Sequence, residues 1–462
     1  MTTLARRWTS ALVAGVLGLS LVACSEDGSE PDPPQPSSSM PSPSSPSAGS
    51  GPLRMSVFGV PEAVAAYRDV AHAYTAESGV QVEVREHEDA ESAAAAVEQS
   101  LRGSQPDSDV FLIDDASLPS LFETGELQPL DVELEERGLQ FGDGFQRVAL
   151  TAFSADDRLQ CMPVDMSPRV MFVNRDLVRP RDLAIRGVPL PEQGQWQFED
   201  FDAAARLVAR EQQAASDADF HAVHLPADVE LLTAFVRSAG GEVVDDVDHP
   251  TELTLDNDEA REVLQAYIEL ARQGSVALTD AEADEVDPVE RFRRGKLAMM
   301  FGTRADVPAL RGSEVPVAAM PLPTFGSPRT VADVAGLCVD GDSERLEDAI
   351  DLVAFAAANE GSTLLARSGA VVPANLDVVF SPAFAQRGLR PRSVRVFRDS
   401  LKRSGLMPFT SAWDEVAARV ERLVARLIAD RREIEAVLDV RLPQLDERSR
   451  AAFAEAEETL ED

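Results

Sequence analysis

Asp109-Val-Phe-Leu-Ile-Asp-Asp115 is a short apolar run closed by acids at both ends. Its centre lacks polar alternation, so it reads as a buried parallel strand with two carboxylates at its carboxyl end. Working outward, Ala90–Leu101 is a helix of small residues, and Val80-Gln-Val-Glu-Val-Arg-Glu86 alternates like a half-buried strand. Upstream, Leu53-Arg-Met-Ser-Val-Phe-Gly59 is a strand, Pro61 opens a helix to about Ser78, and Gly79 closes it. Strand–helix–strand–helix–strand at this spacing is a doubly wound α/β unit. Ligands of such sheets lie beyond the carboxyl ends of the strands, which brings Phe58–Glu62 and Asp114–Asp115 together.

A second α/β region starts near Leu159. Gln160–Asp165 leads into a strand Arg169–Asn174, followed by a helix Ala203–Gln212 and a strand near Phe220–Leu225. Gly240-Gly241 stops a helix Val229–Ser238, and Asp256 is the expected cap of the next helix, which runs to Arg272. The run Asp280–Asp287 lacks calcium-loop spacing and is expected as a solvated loop. His221 and His224, on one strand, should face opposite sides, which argues against a shared metal. The last helices, Trp413–Ile428 and Asp446–Leu460, are expected to pack on the second half.

Residues 1–23 read as a signal peptide: Arg6 and Arg7, then an apolar stretch too short to span a bilayer comfortably, which needs about 20 residues. Leu21-Val22-Ala23-Cys24 resembles the lipobox of bacterial lipoproteins, with Cys24 as the lipidated residue. Residues 24–52 are nearly all Ser, Pro, Gly and acid, and read as a disordered tether. The chain carries 80 acidic against 43 basic residues, a net charge of −37, which excludes the basic footprint of a nucleic-acid binder. All the basic residues but Lys296 and Lys402 are Arg, as expected of a high-G+C bacterial genome. Three cysteines exclude a disulfide scaffold.

Several segments, in order, resemble the family 1 extracellular solute-binding proteins of ABC importers, the group containing maltose-binding protein. They are Cys161-Met-Pro-Val-Asp-Met-Ser-Pro-Arg-Val-Met-Phe-Val-Asn-Arg-Asp-Leu177, Gln195-Trp-Gln-Phe-Glu-Asp-Phe201 and Pro288-Val-Glu-Arg-Phe-Arg-Arg-Gly-Lys-Leu-Ala-Met-Met-Phe-Gly302. Val315–Pro323, Ala335–Asp340 and Ala370–Ala374 follow in family order. The resemblance implies a two-lobed, type II-like periplasmic-binding-protein fold with a hinge and an interlobe cleft. The expected N-terminal lobe is 53–158 with about 303–330, and the C-terminal lobe 159–302 with about 331–462. The implied function is capture of a solute, a carbohydrate in the first instance, for an ABC permease. The implied state is a monomer lipid-anchored at the extracytoplasmic face of the cell membrane, with no cofactor and no metal.

The resemblance offers Phe58, Glu62, Asp114, Asp115, Asp165, Arg304 and Trp413 as ligand contacts. Five of these have a plainer alternative. Asp114 and Asp115 would cap a helix, Glu62 would favour a helix N-terminus, Asp165 would pair with Arg169, and Arg304 with Asp333. The family's paired Tyr is replaced by Phe172-Val173, and an aromatic position by Thr303-Arg304. Sugar stacking is therefore thinly supplied, and Arg304 admits an acidic sugar. A non-sugar solute such as a polyamine, or a sensor role, stays open. Cys161 and Cys338 fall on strands that the family places near the hinge, and two free thiols are expected over a disulfide. No G-x-S-x-G, H-E-x-x-H, Walker A or G-x-G-x-x-G motif is present, so a secreted hydrolase has little to stand on.

Overall fold

The computed structural model describes residues 51–103, 108–191, 194–215, 219–392, 394–430 and 432–461. The leader, Cys24 and most of the tether lie outside the described residues. Among those described, no helix is long and apolar enough to cross a membrane.

The first sheet runs in the order Ser404–Gly405, Thr330–Val339, Val110–Asp114, Leu53–Val57, Val82–Glu86, with Met162–Pro168 also on the Thr330–Val339 strand. Leu53–Val57 pairs in parallel with both neighbours, as expected of a doubly wound unit. Its helices have clear local causes. Pro61 starts Pro61–Ser78, and Gly79 ends it at φ 81°, a left-handed conformation that costs glycine little. Asp89 caps Ala90–Leu101 by accepting from the Ser92 N–H at 2.8 Å.

The second sheet runs Val317–Met320, Val170–Asn174, Leu297–Gly302, His221–His224, Ala277–Leu278. Period-two alternation turns Val170 and Phe172 into one hydrophobic core, and Met171 and Val173 into another. The chain passes between the sheets at Arg169, again between Met320 and Thr330, and again between Gly405 and Trp413. Two α/β bodies thus meet across crossover segments.

Several expectations change. Val317–Met320 belongs to the second sheet, whereas Thr330–Val339 and Ser404–Gly405 belong to the first. The segments 303–330 and 331–405 are therefore not divided between the sheets as the family order suggested. Sequence order cannot reveal this, because strand pairing and not proximity in the chain decides the lobe. Helix Asp258–Ala271 is capped by Asn257, whose side chain accepts from the Ala260 N–H at 2.7 Å, while Asp256 pairs with Arg261. The acidic run forms a short helix, Asp280–Glu285, because Thr279 and Glu282 close a capping box at its start. Helices Trp413–Ala429 and Ile434–Glu461 pack on the second core, as expected.

Cys161 and Cys338 form a disulfide with Cα atoms 4.3 Å apart, against the expectation of free thiols. Leu337 and Met162 are register partners on adjacent strands, so the two cysteines face each other one step further on. The bridge lies within the first sheet and does not span the two bodies.

Candidate functional site

The carboxyl end of the first sheet collects acids. Asp114 and Asp165 flank Ala335 from either side of the central antiparallel strand, and Asp333 lies opposite Ser167. The Asp115 N–H donates to the Val334 carbonyl at 3.1 Å, fixing its backbone beside the same strand. Asp165 accepts from the Ser167 hydroxyl and the Val372 N–H, each at 2.8 Å.

The second body answers with its own helix start. Asp228 caps Val229–Ala239, accepting from the Leu231 N–H at 2.9 Å, and Glu230 follows in the first turn. Glu421 accepts from the Val229 N–H at 3.2 Å. Arg169, at the crossover, joins the two sides. Its guanidinium donates to Asp228 at 2.8 Å and to Glu230 at 3.0 Å, and lies 3.5 Å from Asp333. Its backbone is clamped as well: its N–H reaches the Val331 carbonyl at 3.0 Å, and its carbonyl accepts from the Thr330 hydroxyl at 2.9 Å. Although protein surrounds Asp333, 48% of its side chain is open to water, so it does not lie in a sealed core.

The electrostatics follow from this crowding. Burial, then the charges of Asp114, Glu230 and Asp333, push Asp115 well above the usual carboxylate range. Burial raises Asp165 to about 7, against the bonds from Ser167 and Val372 that favour its charged form. Burial also raises Asp333, with Arg169 opposing and Glu230 and Asp228 adding to the rise. Glu421 and Asp414 shift upward too, from burial first and then from neighbouring acids, Asp228 and Glu230 for the former and Asp114 and Glu91 for the latter. Against the burial that would weaken it, Asp333, Asp228 and Glu230 hold Arg169 firmly charged.

Asp114 and Asp165 sit on either side of Ala335, with Asp115 next in the chain to Asp114, and Arg169 pairs with Asp228, Glu230 and Asp333 in place of Asp165. Phe58 is half-buried against the first core, at the end of a strand beside Val110–Asp114. Glu62 is exposed in the first turn of its helix, and its charge acts on Arg311.

Arg304 and Trp413 require correction. Arg304 is fully buried, with Nε donating to the Gly369 carbonyl at 2.9 Å and Nη2 to the Phe384 carbonyl at 3.2 Å. The Phe384 ring centre lies 4.5 Å from its guanidinium carbon. Burial, then Arg311, lowers its pKa to about 9. Asp333, its expected partner, belongs to Arg169. Trp413 opens a helix with its ring in the second core, 4% exposed, so it offers no face to a ligand.

Asp228, Glu230, Asp414 and Glu421 carry no expectation from the sequence, and Arg169 and Asp333 enter it only as ion-pair partners of Asp165 and Arg304. A signal existed for Asp228 and Glu230, since the carboxyl-end rule applies equally to His221–His224, the strand before their helix. Asp333 carries no local signal, being one polar residue in an alternating strand. His221 and His224 both approach the helix Asp280–Glu285, at 3.6 Å from Glu282 and 3.5 Å from Asp280. Among the described residues no group of three His, Cys, Asp or Glu could hold a metal.

Residues 69–391 match the model of a family described as bacterial extracellular solute-binding protein. Solved structures share the fold at low identity. An ABC substrate-binding protein from Listeria monocytogenes, in complex with cycloalternan, has a TM-score of 0.73 at 18% identity, covering 87% of this chain and 98% of that one. The sugar-binding protein MalE of Xanthomonas citri has a TM-score of 0.74 at 16% identity, covering 89% and 100%. The GacH receptor of Streptomyces glaucescens, solved unliganded and with acarbose, has a TM-score of 0.69 at 17% identity, covering 89% and 99%.

Proposed function

The chain belongs to the bacterial extracellular solute-binding family, a family of binding proteins and not enzymes, and on that premise we propose that it captures a carbohydrate in the cleft for an ABC permease. The observation that carries the reading is the convergence of carboxylates from both bodies around Asp333. Carboxylates accept from paired sugar hydroxyls, and hinge closure would trap the ligand between acids of the two sides. Cys24, lipidated, would hold the chain at the membrane near its permease, raising local concentration. Loss of palmitate labelling and release of the protein in Cys24→Ser tests that anchor; retention at the membrane would refute it.

A second reading has its own support. With Arg304 and Trp413 withdrawn, Arg169 faces a cleft dominated by acids. That balance favours a solute bearing a protonated amine, an amino sugar or a polyamine, and disfavours a sugar acid. A thermal-shift screen over neutral sugars, amino sugars, sugar acids and polyamines decides between them. A tight binder at large excess stabilises by several kcal/mol, roughly 3–4 at 100 to 1,000 times Kd. If neutral sugars leave the melting point unmoved while amines raise it, the second reading replaces the first. Asp115→Ala should weaken binding by about tenfold and keep the fold, as expected for a lost hydrogen bond; unchanged affinity removes Asp115 from the site.

A further inference from the structure

Away from the cleft, helices Trp413–Ala429 and Ile434–Glu461 enclose a groove of about 220 Å³ lined by Arg419, Arg422, Arg426, Arg432, Arg441 and Arg448, with Asp430 the one carboxylate among its lining residues. Composition does not explain this. Acids outnumber bases 80 to 43 over the chain, so a patch drawn at random would be acidic. Arg419, Arg422 and Arg426 share one face of the first helix at i, i+3 and i+7, and Arg441 and Arg448 share a face of the second at i and i+7. The helices are stitched across the groove, since Arg419 donates to the Arg448 carbonyl at 2.8 Å.

Little of this charge is answered from within. Glu415 pairs with Arg419, and Asp430 with Arg432 at 2.7 Å. Among the described residues Arg441 has only the neutral Gln444, at 3.2 Å. Among the described residues no carboxylate forms an ion pair with Arg422, Arg426 or Arg448, and all three are exposed. Beneath them Leu423, Leu427, Val437 and Leu445 form an apolar floor, which reduces the screening of charges above it. Converging like charges repel, so the arrangement lacks only an anion to become favourable. Guanidinium forks match oxyanion geometry, and several of them match a group with several oxygens.

We propose that this groove is a binding site for a multiply charged phosphate group, separate from the solute cleft. The phosphate belongs either to a lipid head group at the membrane surface or to a soluble phosphate compound. Titration of the full chain with tripolyphosphate at low ionic strength tests the site. Saturable binding that weakens with added salt is expected. The variant R422Q/R426Q/R448Q should lose at least about tenfold in affinity, the single R426Q a smaller part, and R210Q, an exposed arginine on helix Phe198–Ala214, none. All these side chains are at the surface, so melting curves should stay superimposable. Sedimentation with vesicles containing phosphatidic acid, whose phosphomonoester head group can carry two charges, separates the sources. Co-sedimentation lost in the triple variant assigns a lipid head group, and tripolyphosphate binding without co-sedimentation assigns a soluble phosphate. If neither probe binds, or the triple variant binds as well as the unaltered chain, the site does not exist.

Discussion

The cleft and the C-terminal groove are opposites in charge. In the cleft Arg169 is held by Asp228, Glu230 and Asp333, with further acids beside it. In the groove six arginines line a wall with one carboxylate. The net charge of −37 describes neither place. What the difference teaches is that a charge counts by its neighbours. Arg169 closes a local network, whereas Arg422 adds to a local excess that the protein leaves open.

That contrast can be broken at several points. The strand Thr330–Val339 is tied by Cys161–Cys338, and the groove helices Trp413–Ala429 and Ile434–Glu461 lie outside that link. C161A/C338A should lower the unfolding free energy by about 4 kcal/mol in denaturant titrations, as expected for a long closed loop, and leave tripolyphosphate binding unaltered. A parallel loss of both would show that the regions are coupled. Next, Arg169→Met should cost about 3 kcal/mol by stranding three carboxylates, whereas Arg422→Met in the groove should stay within about 0.5 kcal/mol. Equal costs would erase the distinction.

The pH dependence is smaller and has a definite sign. Asp165 is raised to about 7, and burial raises Asp306 to about 6. Their unfolded values lie near about 3.9, so between that pH and about 7 the native state binds more protons than the unfolded one. Stability should therefore fall as pH rises through this window. Melting curves at constant ionic strength check it, and a rise in melting temperature from pH 4 to 7 would contradict it. The smallest effect is expected at Arg304. Arg304→Met should leave cleft affinity within about twofold, because the buried side chain bonds the Gly369 and Phe384 carbonyls inside the protein. A large loss in isothermal titration would return it to the site.

Much of the first body was legible in the sequence because its signals are local. Pro61 and Gly79 bound one helix, and Asp109–Asp115 showed its buried strand and terminal acids. Elsewhere local signals competed, and near neighbours were confused. Asn257 outdid Asp256 as a cap, and Thr279 turned an acidic run into a helix.

By itself, the amino-acid sequence determined the two α/β units, the family resemblance and the place of Asp114 and Asp115 at a strand end. Periodicity, caps and strand-end position act over a few residues and can be read from them. Only the tertiary structure decided that Arg304 and Trp413 are core, that Cys161 meets Cys338, and that Arg169 joins acids of both bodies. The physical reason is that burial and charge pairing depend on which strands lie side by side. The chain makes those neighbours from residues as far apart as Asp165 and Val372.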